Sequence, residues 1–138
     1  MPVTLPQSVK TLLLDKAYGH VVTSTDQGKP QVTMVWMDVD GDEVTFNTAE
    51  GRRKPKNLRR DPRVCVVAEA GGGGGDERGV TVQGHAEFLS DGSERRALAE
   101  RFHAKYPRLE HLWGGKAMPA DRVMFRIVPA RVRSWGLG

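Results

Sequence analysis

The sequence predicts a mainly-β protein, a six-stranded antiparallel β-barrel, closed or partly closed, with peripheral helices. Six stretches are rich in β-branched and apolar residues and bounded by turn chemistry. The early connectors, DQGK and DGDE, have the length and composition of antiparallel hairpin turns. Helix-like stretches are sparse, so most of the sheet must bury its apolar side against itself.

Pro6 followed by QSVKTLLLDK predicts a short opening helix with Val9, Leu12 and Leu13 on one stripe. GHVVTST at 19–25 predicts the first strand, DQGK a turn, and PQVTMVWMDV at 30–39 a longer strand. DGDE turns the chain into VTFNT at 44–48, completing a meander. RKPKNLRRD at 53–61 makes a short helix: Pro55 suits a first turn, where its missing N–H costs nothing, and Asp61-Pro62 stops it. Leu58 is nearly its sole core anchor. A strand follows at 63–69. AGGGGGDERG reads as a flexible hairpin loop, because five consecutive glycines neither pack nor favour regular structure. It also lacks the lysine and hydroxyl that a Walker-type phosphate loop needs. GVTVQGHAEFL at 79–89 is the fifth strand, with Gly84 a bulge or close-approach point. SDGSERRALAERFHAKYP carries a helix from Asp91 or Ser93 to just before Pro107, with Leu98, Ala99 and Phe102 covering the sheet. The strand from Arg122 to Trp135 closes the chain, and Pro129 marks an edge or a bend.

At 138 residues the chain has the length of one domain, taken as 1–138. A chain of this size buries about two-thirds of its unfolded surface. No apolar run reaches the ~18 residues of a membrane span. The opening residues lack the basic region and cleavage site of a signal peptide, and the lone Cys65 cannot form an internal disulfide. A cytoplasmic location is the expectation. His20, His85, His103 and His111 show no metal-ligand spacing, so no metal is expected. Neither GxSxG nor GxGxxG occurs, and Asp38 and Asp40 read as turn chemistry.

Net charge is only +4, but it is unevenly placed: TAEGRRKPKNLRRDPR at 48–63 holds seven arginines and lysines in sixteen positions. Arg52, Arg53 and Lys54 lie where a helix start also offers free backbone N–H groups, and the two together suit a phosphate. Arg59 and Arg60 belong near the helix C-terminus, where they complement its dipole. Three readings stay open. One is a solvated face, which composition alone favours. Another is a small-molecule phosphate, with Thr48 as a further ligand. Nucleic acid is the third, and the lack of paired aromatics on the adjacent strands weighs against it. A second candidate is QVTMVWM at 31–37, apolar on both faces. It is a strand covered by helices or a dimer partner, or the wall of a flat aromatic cofactor, and both can hold at a dimer interface.

In order, PQVTMVW, VTFNTAEGRRKPKNLRRDPRVCVV, VTVQGHAEF and RVMFRIVPARVRSWG resemble the pyridoxamine 5′-phosphate oxidase-like split β-barrel proteins. Within them, the chain resembles the actinobacterial branch of flavin- and deazaflavin (coenzyme F420)-dependent oxidoreductases. The resemblance covers nearly the whole chain, and T-x-x-x-R-R-K-x-x-N-L-x-x-D-P-R-V is its most specific part. It implies a homodimer with cofactor sites at the subunit interface and a small-molecule acceptor. Carried over by motif position, Val32, Thr33, Met34, Val35 and Trp36 would border the cofactor ring. Asn47 and Thr48 would lie near its phosphate-bearing tail, and Arg53 and Lys54 would bind the phosphate. Asn57 and Lys56 are weaker candidates. The surplus charge would suit the lactyl-oligoglutamate tail of F420.

The chain departs from the vitamin B6 oxidases at two points. In those the last strand is followed by a further basic segment with an arginine–histidine substrate clamp, whereas this sequence stops at Trp135-Gly136-Leu137-Gly138, and Gly79 stands where they commonly carry a cofactor-contacting glutamine. The resemblance therefore implies an F420-dependent oxidoreductase that passes hydride from reduced deazaflavin to a conjugated organic acceptor. The alternatives are an FMN-dependent reductase or oxidase and a non-enzymatic flavin, F420 or haem binder. In each case the cofactor carries the chemistry, and no catalytic side chain is assigned.

Overall fold

A computed structural model of the chain describes residues 3–15, 18–49, 51–71, 77–89, 93–106, 108 and 122–137. Helix α1 (Gln7–Asp15) leads into strands β1 (Tyr18–Ser24), β2 (Pro30–Asp40) and β3 (Glu43–Ala49). Helix α2 (Arg53–Arg60) follows, then β4 (Arg63–Ala70), β5 (Arg78–Phe88), helix α3 (Ser93–Lys105) and β6 (Arg122–Trp135). The strands close into a barrel in the order β1-β2-β3-β6-β5-β4, each neighbouring pair antiparallel. This is the six-stranded antiparallel barrel with peripheral helices that the turn spacing predicts. Asp91 as a helix start, Pro107 as its stop, His111, and residues 72–75 of the glycine loop lie outside the described residues.

Alternation along each strand sends one set of side chains inward. On β2 the inward set includes Val35, Met37 and Val39, which join Phe46 of β3 and Phe125 and Ile127 of β6 in the main core. Helix α1 adds Val9, Leu12 and Leu13 to the same core, as its stripe predicts. Outside the barrel, α3 builds a second core from Leu98, Phe102 and the following Tyr106, packed on the outward-facing Met124 of β6 and Trp36 of β2.

Asp38 corrects a sequence reading. Expected as turn chemistry, it is 3% exposed, and its Oδ2 accepts from Arg101 Nε at 3.0 Å. Arg101 also reaches Asp40 Oδ1 at 3.4 Å and the Val39 carbonyl. A buried carboxylate requires a paired charge, and α3 supplies one that no local pattern reveals.

Gly84 fulfils both roles proposed for it. The β5–β6 register shifts between Gln83 and Gly84, leaving Ala130 unpaired between Pro129 and Arg131. A Cβ at Gly84 would stand 2.0 Å from the Val128 carbonyl oxygen, so only glycine permits this approach. Pro129 thus sits at a bend in a closed sheet, not on an edge.

Candidate functional site

β2 and β3 pair only near their shared turn, from Met37–Phe46 to Asp40–Glu43. Beyond it β2 runs on alongside β1, from Trp36–Tyr18 to Pro30–Ser24. β3 instead runs on alongside β6, ending at Ala49–Arg122. The two strands part. Residues 32–36 of β2 and 47–49 of β3 flank a split with no ladder pairing between them, and three residues separate the end of β3 from the start of α2. Val32 to Trp36 of β2 and Asn47 and Thr48 of β3 lie on the two strands beside this split.

Helix α2 seats itself on the barrel through Lys54, Pro55, Asn57 and Leu58. Leu58 is an apolar anchor, as the sequence suggests, but two polar residues are buried beside it. Asn57 Nδ2 donates to Thr23 Oγ1 at 3.0 Å and to Gln31 Oε1 at 2.7 Å, and its Oδ1 accepts from Arg60 Nη2 at 3.2 Å. Its amide is engaged by the barrel, which makes Asn57 a residue that places the helix.

Lys54, one of the phosphate candidates at the helix start, is only 8% exposed. Its Nζ donates to Thr33 Oγ1 at 2.8 Å, and no carboxylate among the described residues pairs with it. Burial pushes the Lys54 pKa down, and the charges of Arg52 and Arg122 push it further the same way. A buried ammonium with one neutral partner and cationic neighbours is a deficit that an anion would fill. The helix start adds to it. Its N-cap, Arg52, is extended with no side-chain cap, and no acidic residue occupies the first turn.

The remaining candidates divide. Arg53 and Lys56 are exposed at the helix surface, whereas Thr48 is 4% exposed at the end of β3. Asn47 Oδ1 accepts from Arg122 Nη1 at 3.5 Å. Arg59 lies over the Phe88 ring at 4.2 Å, and Arg60 Nη2 donates to the Ser24 carbonyl at 2.7 Å, so both hold α2 to the barrel. On β2, Val35 points into the core, while Val32 and Met34 face outward, 57% and 55% exposed. The Trp36 indole stacks on Tyr106 with centroids 4.8 Å apart. The Tyr106 hydroxyl in turn donates to Met37 O at 2.6 Å and accepts from Met37 N at 3.1 Å. That burial pushes its pKa up to about 12. Trp36 is therefore packed under α3 and bounds the split from one end. Arg122 was missed altogether: only the β3–β6 register brings it to the site.

Comparison with known proteins now adds identity to geometry. A family model described as pyridoxamine 5′-phosphate oxidase matches residues 5–136. The chain belongs to this family. No curated protein matches it. Among solved structures, this family member is similar to a conserved hypothetical protein from Mycobacterium tuberculosis, with 26% identity, a TM-score of 0.81, and coverage of 97% of this chain and 86% of that one. A heme binding protein from Mycobacterium smegmatis shows 21% identity and a TM-score of 0.80 over 97% of this chain and 56% of its own. A FAD-binding protein from Mesorhizobium loti shows 22% identity and a TM-score of 0.76 over 97% and 95%. The last two share the fold. No helix of the described residues is long and apolar enough to cross a membrane.

Proposed function

We propose that the protein binds a phosphate-bearing flavin-type cofactor, FMN or the deazaflavin F420, in the split between β2 and β3, and acts as an oxidoreductase through it. The observation that carries this reading is Lys54, buried beside other cations with no carboxylate among the described residues paired to it. Lys54, the start of α2 with Arg52 and Arg53, and Thr48 would hold the phosphate. Residues 32–36 would border the ring, with Asn57 and Thr33 fixing the position of the grip. A bound flavin or deazaflavin supplies hydride or electron transfer at its ring. The chain's own part is to bind, orient and exclude water.

F420-dependent hydride transfer to a conjugated acceptor is the narrower form of this proposal. Its support is the exposed charge of Arg52, Arg53 and Lys56 next to the buried grip, which suits a longer anionic tail. FMN suits the same grip through its phosphate alone. Haem carriage is a second reading, favoured by the exposed His20, which stands opposite the exposed Met34 in the β1–β2 register. A heme binding protein and a FAD-binding protein share this fold, which supports weighing both readings.

Visible-absorption titration of the purified protein with FMN, F420, riboflavin and haem tests these readings. FMN or F420 should bind, inorganic phosphate should compete, and riboflavin, which has no phosphate, should bind far more weakly. A Soret shift with haem and no response to FMN or F420 would sink the flavin-type reading.

A second copy of the chain is proposed to cover the outer face of β2. Val32 and Met34 are exposed there, and the β1 partner of Val32 is Val22, so the apolar surface crosses strands. A groove of about 600 Å³ lined by Val22, Cys65, Gln83 and Arg131 continues that outer surface. Light scattering should give a dimer mass for the wild type and a monomer mass for Met34→Glu. A wild-type monomer at tens of micromolar overturns the dimer.

A further inference from the structure

Resting on the flavin-type reading above, we infer that Tyr106 and Lys105, at the end of α3, position the cofactor's ring by holding β2 where it leaves β3. Trp36 is the last β2 residue paired with β1, and Met37 is the first paired with β3. β2 changes partners between these two residues, and the split begins there. At this hand-over the Met37 main chain is answered by side chains. The Tyr106 hydroxyl accepts from Met37 N at 3.1 Å and donates to Met37 O at 2.6 Å, standing in for a neighbouring strand. Lys105 Nζ donates to the same carbonyl at 2.7 Å and to Leu13 O at 3.1 Å, in the last turn of α1. The ends of two helices thus meet on one residue of β2.

The same tyrosine fixes the neighbouring side chain. Its ring stacks on Trp36 with centroids 4.8 Å apart and planes 14° apart, and it also stacks on Phe102 at 5.8 Å. Tyr106 and Phe102 are buried, whereas Trp36 is half-buried. The stack therefore holds the indole against α3 and leaves part of it exposed at the end of the split. Lys54 meets β2 at Thr33, and from there to Trp36 the extended strand spans about 10 Å. A cation and an aromatic wall at that separation match a ligand whose phosphate is joined to a flat ring by a short linker. An indole already held in a buried stack loses little freedom when a further ring packs beside it, and such preorganisation raises affinity. Because the clamp acts at Met37 and Trp36, its contribution goes to the ring and not to the phosphate.

The alternative is that Tyr106 only docks α3 on the barrel. Tyr106→Phe keeps an aromatic ring for the stack and removes the hydroxyl, so it separates the two roles. Its thermal midpoint should fall under either, because the Met37 N–H loses its acceptor. Under positioning, FMN and riboflavin affinities should both fall about 10-fold at temperatures well below that midpoint. The visible spectrum of bound FMN should also move toward that of free FMN, while the inhibition constant of inorganic phosphate against FMN stays unchanged. Lys54→Met should show the opposite pattern, losing FMN and sparing riboflavin. Lys105→Met leaves the hydroxyl and the stack but removes one donor to Met37 O. It should give a smaller loss of the same ring-specific kind, and it decides the question if Tyr106→Phe does not fold. A lowered midpoint with unchanged flavin affinity and spectrum overturns the inference, and so does a weakened grip on inorganic phosphate. If Lys54→Met abolishes FMN binding while neither α3 variant changes it, the phosphate reading stands and the role of Tyr106 falls. A wild type that binds neither FMN nor F420 removes both.

Discussion

Lys54→Met should abolish tight cofactor binding and leave the cofactor-free protein at least as stable as the wild type. Methionine fills much of the same volume but brings no charge into the space between α2 and β2. The variant loses the 2.8 Å bond to Thr33, worth about 1 kcal/mol net. It also sheds the desolvation of an ammonium that no carboxylate among the described residues compensates. The pH dependence gives the sign. The folded Lys54 pKa lies below its ordinary 10.5 because burial, then Arg52 and Arg122, disfavour the charged form. The resulting penalty is fully present at pH values below the folded pKa and fades as pH rises from there through 10.5. The thermal midpoint of the wild type should therefore gain on that of Lys54→Met as pH approaches 10.5. In the presence of cofactor the order near neutral pH should reverse, because the bound anion stabilises only the wild type. Affinity for FMN or F420 should fall about 100-fold or more, the scale of a buried charge-assisted contact. A variant that binds like the wild type, or that melts far below it, contradicts this account of Lys54.

Asn57→Ala should be the more damaging change to the fold. Asn57 is 5% exposed and answers Thr23 and Gln31, which lie on different strands, while holding Arg60 on its own helix. Truncation leaves the carbonyl oxygen of Gln31 without this donor and the 2%-exposed Thr23 hydroxyl without its partner. At about 1–3 kcal/mol for each buried polar group left unmatched, the loss should come to about 2–4 kcal/mol, read as a fall in the urea midpoint. Because Leu58 and Pro55 remain as apolar anchors, the barrel itself should persist while α2 loosens. Cofactor affinity should then fall through the displaced start of α2. An Asn57→Ala protein with an unchanged urea midpoint would show that its hydrogen bonds contribute nothing net.

The two variants mark where local reading succeeds and where it stops. Strand positions, the Pro55 helix start, the Asp61-Pro62 stop and the Gly84 bulge are visible because each depends on a few neighbouring residues: side-chain period, fixed φ, or a missing Cβ. The basic stretch is likewise visible as charge. Its division is not. Lys54 and Arg53 are neighbours in sequence, yet one is buried on Thr33 and the other is in solvent. Helix phase relative to the barrel decides that, and phase is set by Leu58 and Asn57 docking on strands formed much earlier in the chain. Arg59 and Arg60 read as end-of-helix charges; the fold gives them Phe88 and the Ser24 carbonyl. Asp38 reads as part of a turn until α3 lays Arg101 across it.

Local sequence determined the elements of this protein, the antiparallel order of its early strands and the kind of charge that gathers beside them. Tertiary structure alone decided that β2 and β3 part after Met37 and Phe46, that Lys54 is buried on Thr33 with no carboxylate among the described residues paired to it, and that Arg122 pairs with the end of β3. The physical reason is range. Alternation, caps and turns act within a few residues, whereas burial and strand register sum over contacts between distant segments, and electrostatic consequences follow only once those contacts fix what is near what.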